Sequence, residues 1–66
     1  MSVHILRRER AANGWLRYWG DVNGHKVGIR LPAQYVESVS EAEAETEVRQ
    51  SLKEEYERLR EAESSR

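Results

Sequence analysis

The 66 residues are 38% hydrophobic and 35% charged, carry a formal net charge of -1 and include no cysteine. Such a length supports one domain, since folded domains generally need about 50 to 200 residues to close a core, and the lack of cysteine excludes a disulfide framework, a thiolate metal site and a cysteine nucleophile. No apolar run approaches the roughly 18 residues of a bilayer span, and the first ten residues turn charged too early for a signal peptide, so a soluble, cytoplasmic protein with no membrane partner is expected.

Val3 to Arg10 mixes β-branched and basic residues and reads as a strand with an arginine-rich end. Its register stays open, because the two plausible turn lengths after it put opposite sets of side chains inward. Ala11, Ala12, Asn13 and Gly14 form the turn, in which Asn-Gly takes positive φ at low cost.

Trp15 to Val22 and His25 to Leu31 are β-prone runs separated by Asn23-Gly24, the signature of a two-residue type I′ hairpin. That turn pairs Val22 with His25, Gly20 with Val27, Tyr18 with Ile29 and Leu16 with Leu31. Side chains alternate along a strand, so one face is the apolar set Leu16, Tyr18, Gly20, Val27, Ile29 and Leu31. The other carries Trp15, Arg17, Trp19 and Asp21 beside Lys26, Gly28 and Arg30. Trp19 lies opposite Gly28, where an indole covers the missing side chain, and Asp21 opposite Lys26 as a cross-strand ion pair. Pro32 ends the run, lacking an N–H for the ladder.

Positions 32–39 are a connector or short helical turn, with Tyr35 and Val36 packing across its base. Ser40 then opens a long helix: its hydroxyl caps a backbone N–H, Glu43 completes a capping box, and Val39 with Ala44 forms a hydrophobic staple. Ala44, Val48, Leu52, Tyr56 and Leu59 recur at helical spacing as a single apolar stripe within a charged, acidic helix over 40–63. Its last three residues, 64–66, are expected to fray. The whole is a small α+β domain, an antiparallel sheet of two or three strands packed on one C-terminal helix. A helix of that length outruns strands of five to eight residues, which span roughly 17 to 27 Å, so Leu52, Tyr56, Leu59 and Ala62 are candidates for a dimer or partner contact. Small domains without disulfides or metals often gain stability by associating, and a homodimer is expected.

Charge is segregated. Residues 1–35 hold six cations against two carboxylates, net +4, and residues 36–66 hold five cations against ten glutamates, net -5. The two histidines, His4 and His25, have no partners at ligand spacing, and no phosphate loop, nucleophile elbow or paired carboxylate in an apolar setting occurs. No enzyme, metal, cofactor or small-molecule substrate is expected. The candidate surface is aromatic and basic: Trp15, Arg17, Trp19, Lys26 and Arg30, extended by Arg7 and Arg8. Indoles with neighbouring guanidinium groups stack on bases and neutralise phosphates, and a sheet can enter a major groove. The bland reading of the same residues is internal: tryptophans covered by the first strand or the helix, with arginines stacked on them as cation–π partners. The glutamates have an equally plain role, complementing the helix dipole, or they present a surface to a basic protein.

Tyr18-Trp19-Gly20 with Val27 to Ala33 resembles the strand-loop-strand of AbrB/MazE-type antitoxin DNA-binding domains. Ile29 to Ala33 with Glu47 to Tyr56 resembles the strand and second helix of ribbon-helix-helix repressors. The Gly14-Trp15 strand, the Asn23-Gly24 turn and Ser40 to Ala44 are similar to the three-strand-plus-helix arm-binding domain of phage integrases. What the three share is a sheet that binds DNA. Two functions are therefore expected as alternatives: a non-catalytic DNA-binding or regulatory module, or a protein-binding inhibitor or adaptor, antitoxin-like or from a mobile element, docking on a larger protein complex.

Overall fold

Two Asn-Gly pairs shape the sheet. In the computed structural model, which describes residues 2–64, Asn23 (φ 53°) and Gly24 (φ 86°) both take left-handed backbone. That is the type I′ turn, whose twist matches the strands it joins. The strands on either side, which we number β2 (Trp15–Val22) and β3 (His25–Pro32), pair antiparallel from Val22 against His25 to Trp15 against Pro32, the register expected from the turn. Asp21 stands opposite Lys26, but its carboxylate accepts the Gly24 N–H at 2.8 Å and braces the turn. Among the described residues no ion pair joins Asp21 to Lys26, so the expected cross-strand bridge is replaced by a local bond.

The second pair, Asn13 (φ 65°) and Gly14 (φ 75°), lies in a 3-10 turn, Ala12–Gly14, closed by Ala11 N–H donating to Trp15 O at 2.8 Å. It returns the chain from β1 (Val3–Arg10), which completes a sheet of order β1-β2-β3. The open register of β1 has an answer that neither turn length anticipates. Val3 pairs with Val22 and Ile5 with Gly20, but a bulge follows, and Arg7 pairs with Trp19, Arg8 with Tyr18 and Arg10 with Leu16. A bulge inserts one residue and so reverses the alternation beyond it. Val3 and Ile5 reach the core before it, whereas beyond it Arg8 and Arg10 share the inner face with Tyr18 and Leu16.

After Pro32 the chain forms a short helix, α1 (Ala33–Ser38), and then α2 (Glu41–Ser64). Ala33 is buried and Val36 half-buried against the core, while Tyr35 is 38% exposed and does not pack across the base as expected. The serine half of the expected α2 cap forms: Ser40 Oγ accepts Glu43 N–H at 3.2 Å, and Glu41 and Glu43 lie in the first turn, where carboxylates face the positive end of the dipole. Ser64, expected to fray, is helical and bonds its hydroxyl to Arg60 O at 3.0 Å; 65 and 66 lie outside the described residues.

The helix covers the apolar sheet face. Val48, Leu52 and Tyr56 are buried against Leu16, Tyr18, Val22 and Val27, with Ile29 and Leu31 packed partly into the same core, and Ala44 is buried one turn before Val48. Gly20 permits the closest approach, for a Cβ there would fall within contact distance of Leu52 and 2.9 Å from His4 O. The order of three strands then a long helix is the α+β architecture expected. Among the described residues no helix is long and apolar enough to cross a membrane.

Candidate functional site

With the helix on one side, the other side of the sheet is left uncovered by the described residues. β2 places Trp15, Arg17, Trp19 and Asp21 there, and β3 adds Lys26, Gly28 and Arg30. The bulge brings Arg7 and Glu9 to the same face, opposite Trp19 and Arg17. The Trp19 indole lies over Gly28: a Cβ on that glycine would sit 2.7 to 2.9 Å from two ring carbons. This is the aromatic cover over a missing side chain expected at that pair.

Each indole carries a guanidinium. Arg17 lies 5.7 Å from the Trp19 ring centroid and Arg30 lies 5.8 Å from that of Trp15, both within cation–π range. The internal reading of these residues is thus correct for the stacking, but the tryptophans are not sealed: Trp15 is 39% exposed and Trp19 half-buried. Glu9 ties the far side together. Its carboxylate accepts from Arg7 Nη2 at 3.2 Å and from Trp19 Nε1 at 3.4 Å, so it orients the indole and neutralises Arg7. Nothing in composition singled Glu9 out, because its face depends on the bulge.

Arg8 does not join this set. Paired with Tyr18 on the inner face, it opens onto a separate cleft of about 650 Å³ whose floor includes Ile5, Val36 and Val39. The surface that the structure assembles is therefore Arg7, Trp15, Arg17, Trp19, Lys26 and Arg30, with Glu9 and Asp21 interspersed. A groove of about 760 Å³ continues it around the outer edge of β3, where Ser51, Glu54, Glu55 and Arg58 of α2 face Trp15, Trp19 and Arg30. Sequence reasoning did not foresee this groove, because it depends on how far the helix overhangs the edge strand.

The helix contact candidates divide. Leu52 and Tyr56 are spent inside the chain, at 0% and 6% exposure, so they are core residues and not an associating surface; Leu59, past the end of the sheet, is 42% exposed. Tyr56 also anchors the hairpin turn. Its hydroxyl accepts from Arg60 Nη1 at 3.0 Å, and His25 tilts against its ring at 5.5 Å. The hydrogen bonds from Arg60 and then Asn23 hold its phenol below the usual tyrosine range. Among the described residues no three histidine, aspartate or glutamate side chains come together as a metal site.

Set against protein-family models, curated proteins and solved structures, the chain matches none.

Proposed function

We propose that the chain is a small, non-catalytic DNA-binding module that presents the outer face of its sheet to duplex DNA. The observation that carries this reading is an exposed and a half-buried indole, each under a guanidinium, on a face with four cations against two carboxylates. Arginine and lysine at this density neutralise phosphates, and the release of counterions makes such contacts a source of affinity. The β2-β3 hairpin, which carries both indoles with Arg17, Lys26 and Arg30, is a two-stranded ribbon of the kind that fits a major groove about 12 Å wide, where guanidinium groups address guanine edges. Most of the acidic residues lie on the helix, which packs on the other face of the sheet and brings only Glu54 and Glu55 to the groove at the β3 edge, so phosphate repulsion by the helix favours the sheet as the side toward the duplex.

Titration of a labelled duplex at several salt concentrations tests the reading. If all four cations contact phosphates, log affinity falls against log salt with a slope of about -3.6, from about -0.9 per contact. Absence of binding at about 50 mM salt, where even non-specific complexes form, removes it. A protein-binding adaptor is the second reading, favoured by one observation: Glu54, Glu55 and Arg58 share the groove with the arginines and tryptophans. A mixed-charge lining suits a polypeptide better than a phosphate chain. Stoichiometric capture of one protein from nuclease-treated lysate, with no duplex binding, selects that reading instead.

A further inference from the structure

The two edges of the sheet are unequal. β1 is blunted: it carries the bulge between Ile5 and Arg7, and Arg49 Nη1 donates to Val3 O at 3.1 Å. β3 pairs with β2 over its full length, from His25 to Pro32, without an irregularity. Val22 and His25 flank a two-residue turn and so form a hydrogen-bonded pair, and such pairs alternate along an antiparallel ladder. The N–H and C=O groups of His25, Val27, Ile29 and Leu31 therefore face β2, and those of Lys26, Gly28 and Arg30 face away. Pro32 occupies the next outward position, where a missing N–H costs the β2 ladder nothing. A straight edge with a row of free donors and acceptors is a template for another strand.

We propose that the occupant is β3 of a second copy, paired antiparallel about a two-fold axis through Ile29. Charge selects that register. Centred on Gly28, the pairing would set Lys26 directly against Arg30 twice over, and like charges directly opposite are destabilising. Centred on Ile29, Gly28 faces Arg30 of the second copy, Val27 faces Leu31, and Lys26 faces Pro32. The groove along this edge receives the incoming strand, bounded by Trp19 and Gly28 on one side and by Glu54 and Arg58 on the other. Because the helix lip holds both signs, an antiparallel copy meets no like-charged front. The pairing also completes the outer face. Gly28 is covered by the Trp19 indole, and Arg30 of the second copy arrives beside it as a second guanidinium for that ring. The product is a six-stranded sheet with one continuous aromatic and basic face.

The test uses the whole chain without DNA, by sedimentation equilibrium and amide hydrogen exchange. The expected result is twice the chain mass, with the Lys26, Gly28 and Arg30 amides slowing by about tenfold once the concentration is well above the dissociation constant. Ile29→Cys adds a register-specific readout in a chain that has no other cysteine. Facing residues of a non-hydrogen-bonded pair lie about 4.5 Å apart at Cα, within disulfide reach, so mild oxidation should link the two copies. Arg30→Pro removes an outward N–H that β2 does not use and should leave a folded monomer by circular dichroism; if it unfolds, exchange and cross-linking on the other proteins decide. A monomer up to about 1 mM, the weak end of association, overturns the inference. So does a dimer whose three edge amides stay unprotected. A monomer that binds duplex DNA refutes the pairing alone, and a dimer that does not bind it refutes only the DNA reading.

Discussion

Gly20 is the residue on which the approach of helix to sheet depends. Its hydrogen side faces Leu52, and a methyl group there meets both that side chain and the carbonyl of His4, 2.9 Å away on the neighbouring strand. Leu52 can rotate, but a ladder carbonyl cannot. Gly20→Ala should therefore lower stability by about 1 to 3 kcal/mol, the usual cost of overpacking a core, read from a denaturant midpoint that moves with an unchanged slope. A different argument applies to Glu55, which accepts two hydrogen bonds from Arg58 and whose carboxyl is thereby held below its ordinary value of 4.5. A depressed carboxyl favours the folded state above its unfolded value and loses that contribution as pH falls through the lowered one. Glu55→Gln should thus be slightly less stable than the native chain at pH 7, the gap closing below pH 4.5. Solvent screens the pair, so the gap is small, and a pH series of thermal midpoints measures it. The sequence placed Gly20 on the apolar face but not against Leu52, and it did not single out Glu55, since a close approach and a helical ion pair are facts about neighbours.

At the scale of elements, the hairpin, the helix and the span of the first strand were legible, and the faces of that first strand were not. Asn23-Gly24 announces its own turn, and turn type determines register, which in turn determines faces. Ser40 with Glu43 marks the helix start as plainly, since few residues supply an N-cap acceptor. β1 lacks any such signal. Val3, Ile5, Arg8 and Arg10 share a face only because a bulge intervenes, and no residue between them is a glycine or proline that would announce it. The apolar stripe of α2 was visible in full, but where the sheet stops beneath it was not. Leu52 and Leu59, seven residues apart on one side of the helix, test that boundary. Leu52→Ala should cost about 3 to 5 kcal/mol, as buried leucine truncations do. Leu59→Ala, made where the side chain is 42% exposed, should stay within about 0.5 kcal/mol. Equal losses in parallel denaturation curves would mean that Leu59 is buried in the native protein by a contact beyond this chain.

Charge is segregated across the whole molecule, and the sheet is what separates it. Read along the chain, Arg7, Arg8 and Arg10 formed one basic run continuous with Arg17 and Arg30. The alternation of side chains divides that run, sending Arg7 to the outer face with Arg17 while Arg8 and Arg10 go to the helix side, where Arg10 meets Glu37 at 3.5 Å. Net charge alone would make Arg8 and Arg17 equivalent for a polyanion. Direct contact makes them different, because a phosphate on the outer face is reached by the Arg17 guanidinium and not by one beyond the sheet. If the outer face binds DNA, Arg17→Ser should flatten the salt dependence by about one contact, a change of roughly 0.9 in slope. Arg8→Ser should leave that slope in place and weaken binding only through the long-range field, which salt near 0.1 M screens over about 10 Å. Fluorescence anisotropy with both proteins across one salt series gives the comparison. Identical changes in slope would mean that the duplex senses the charge of the chain and not the geometry of its sheet, and the outer face would lose its claim to be the interface.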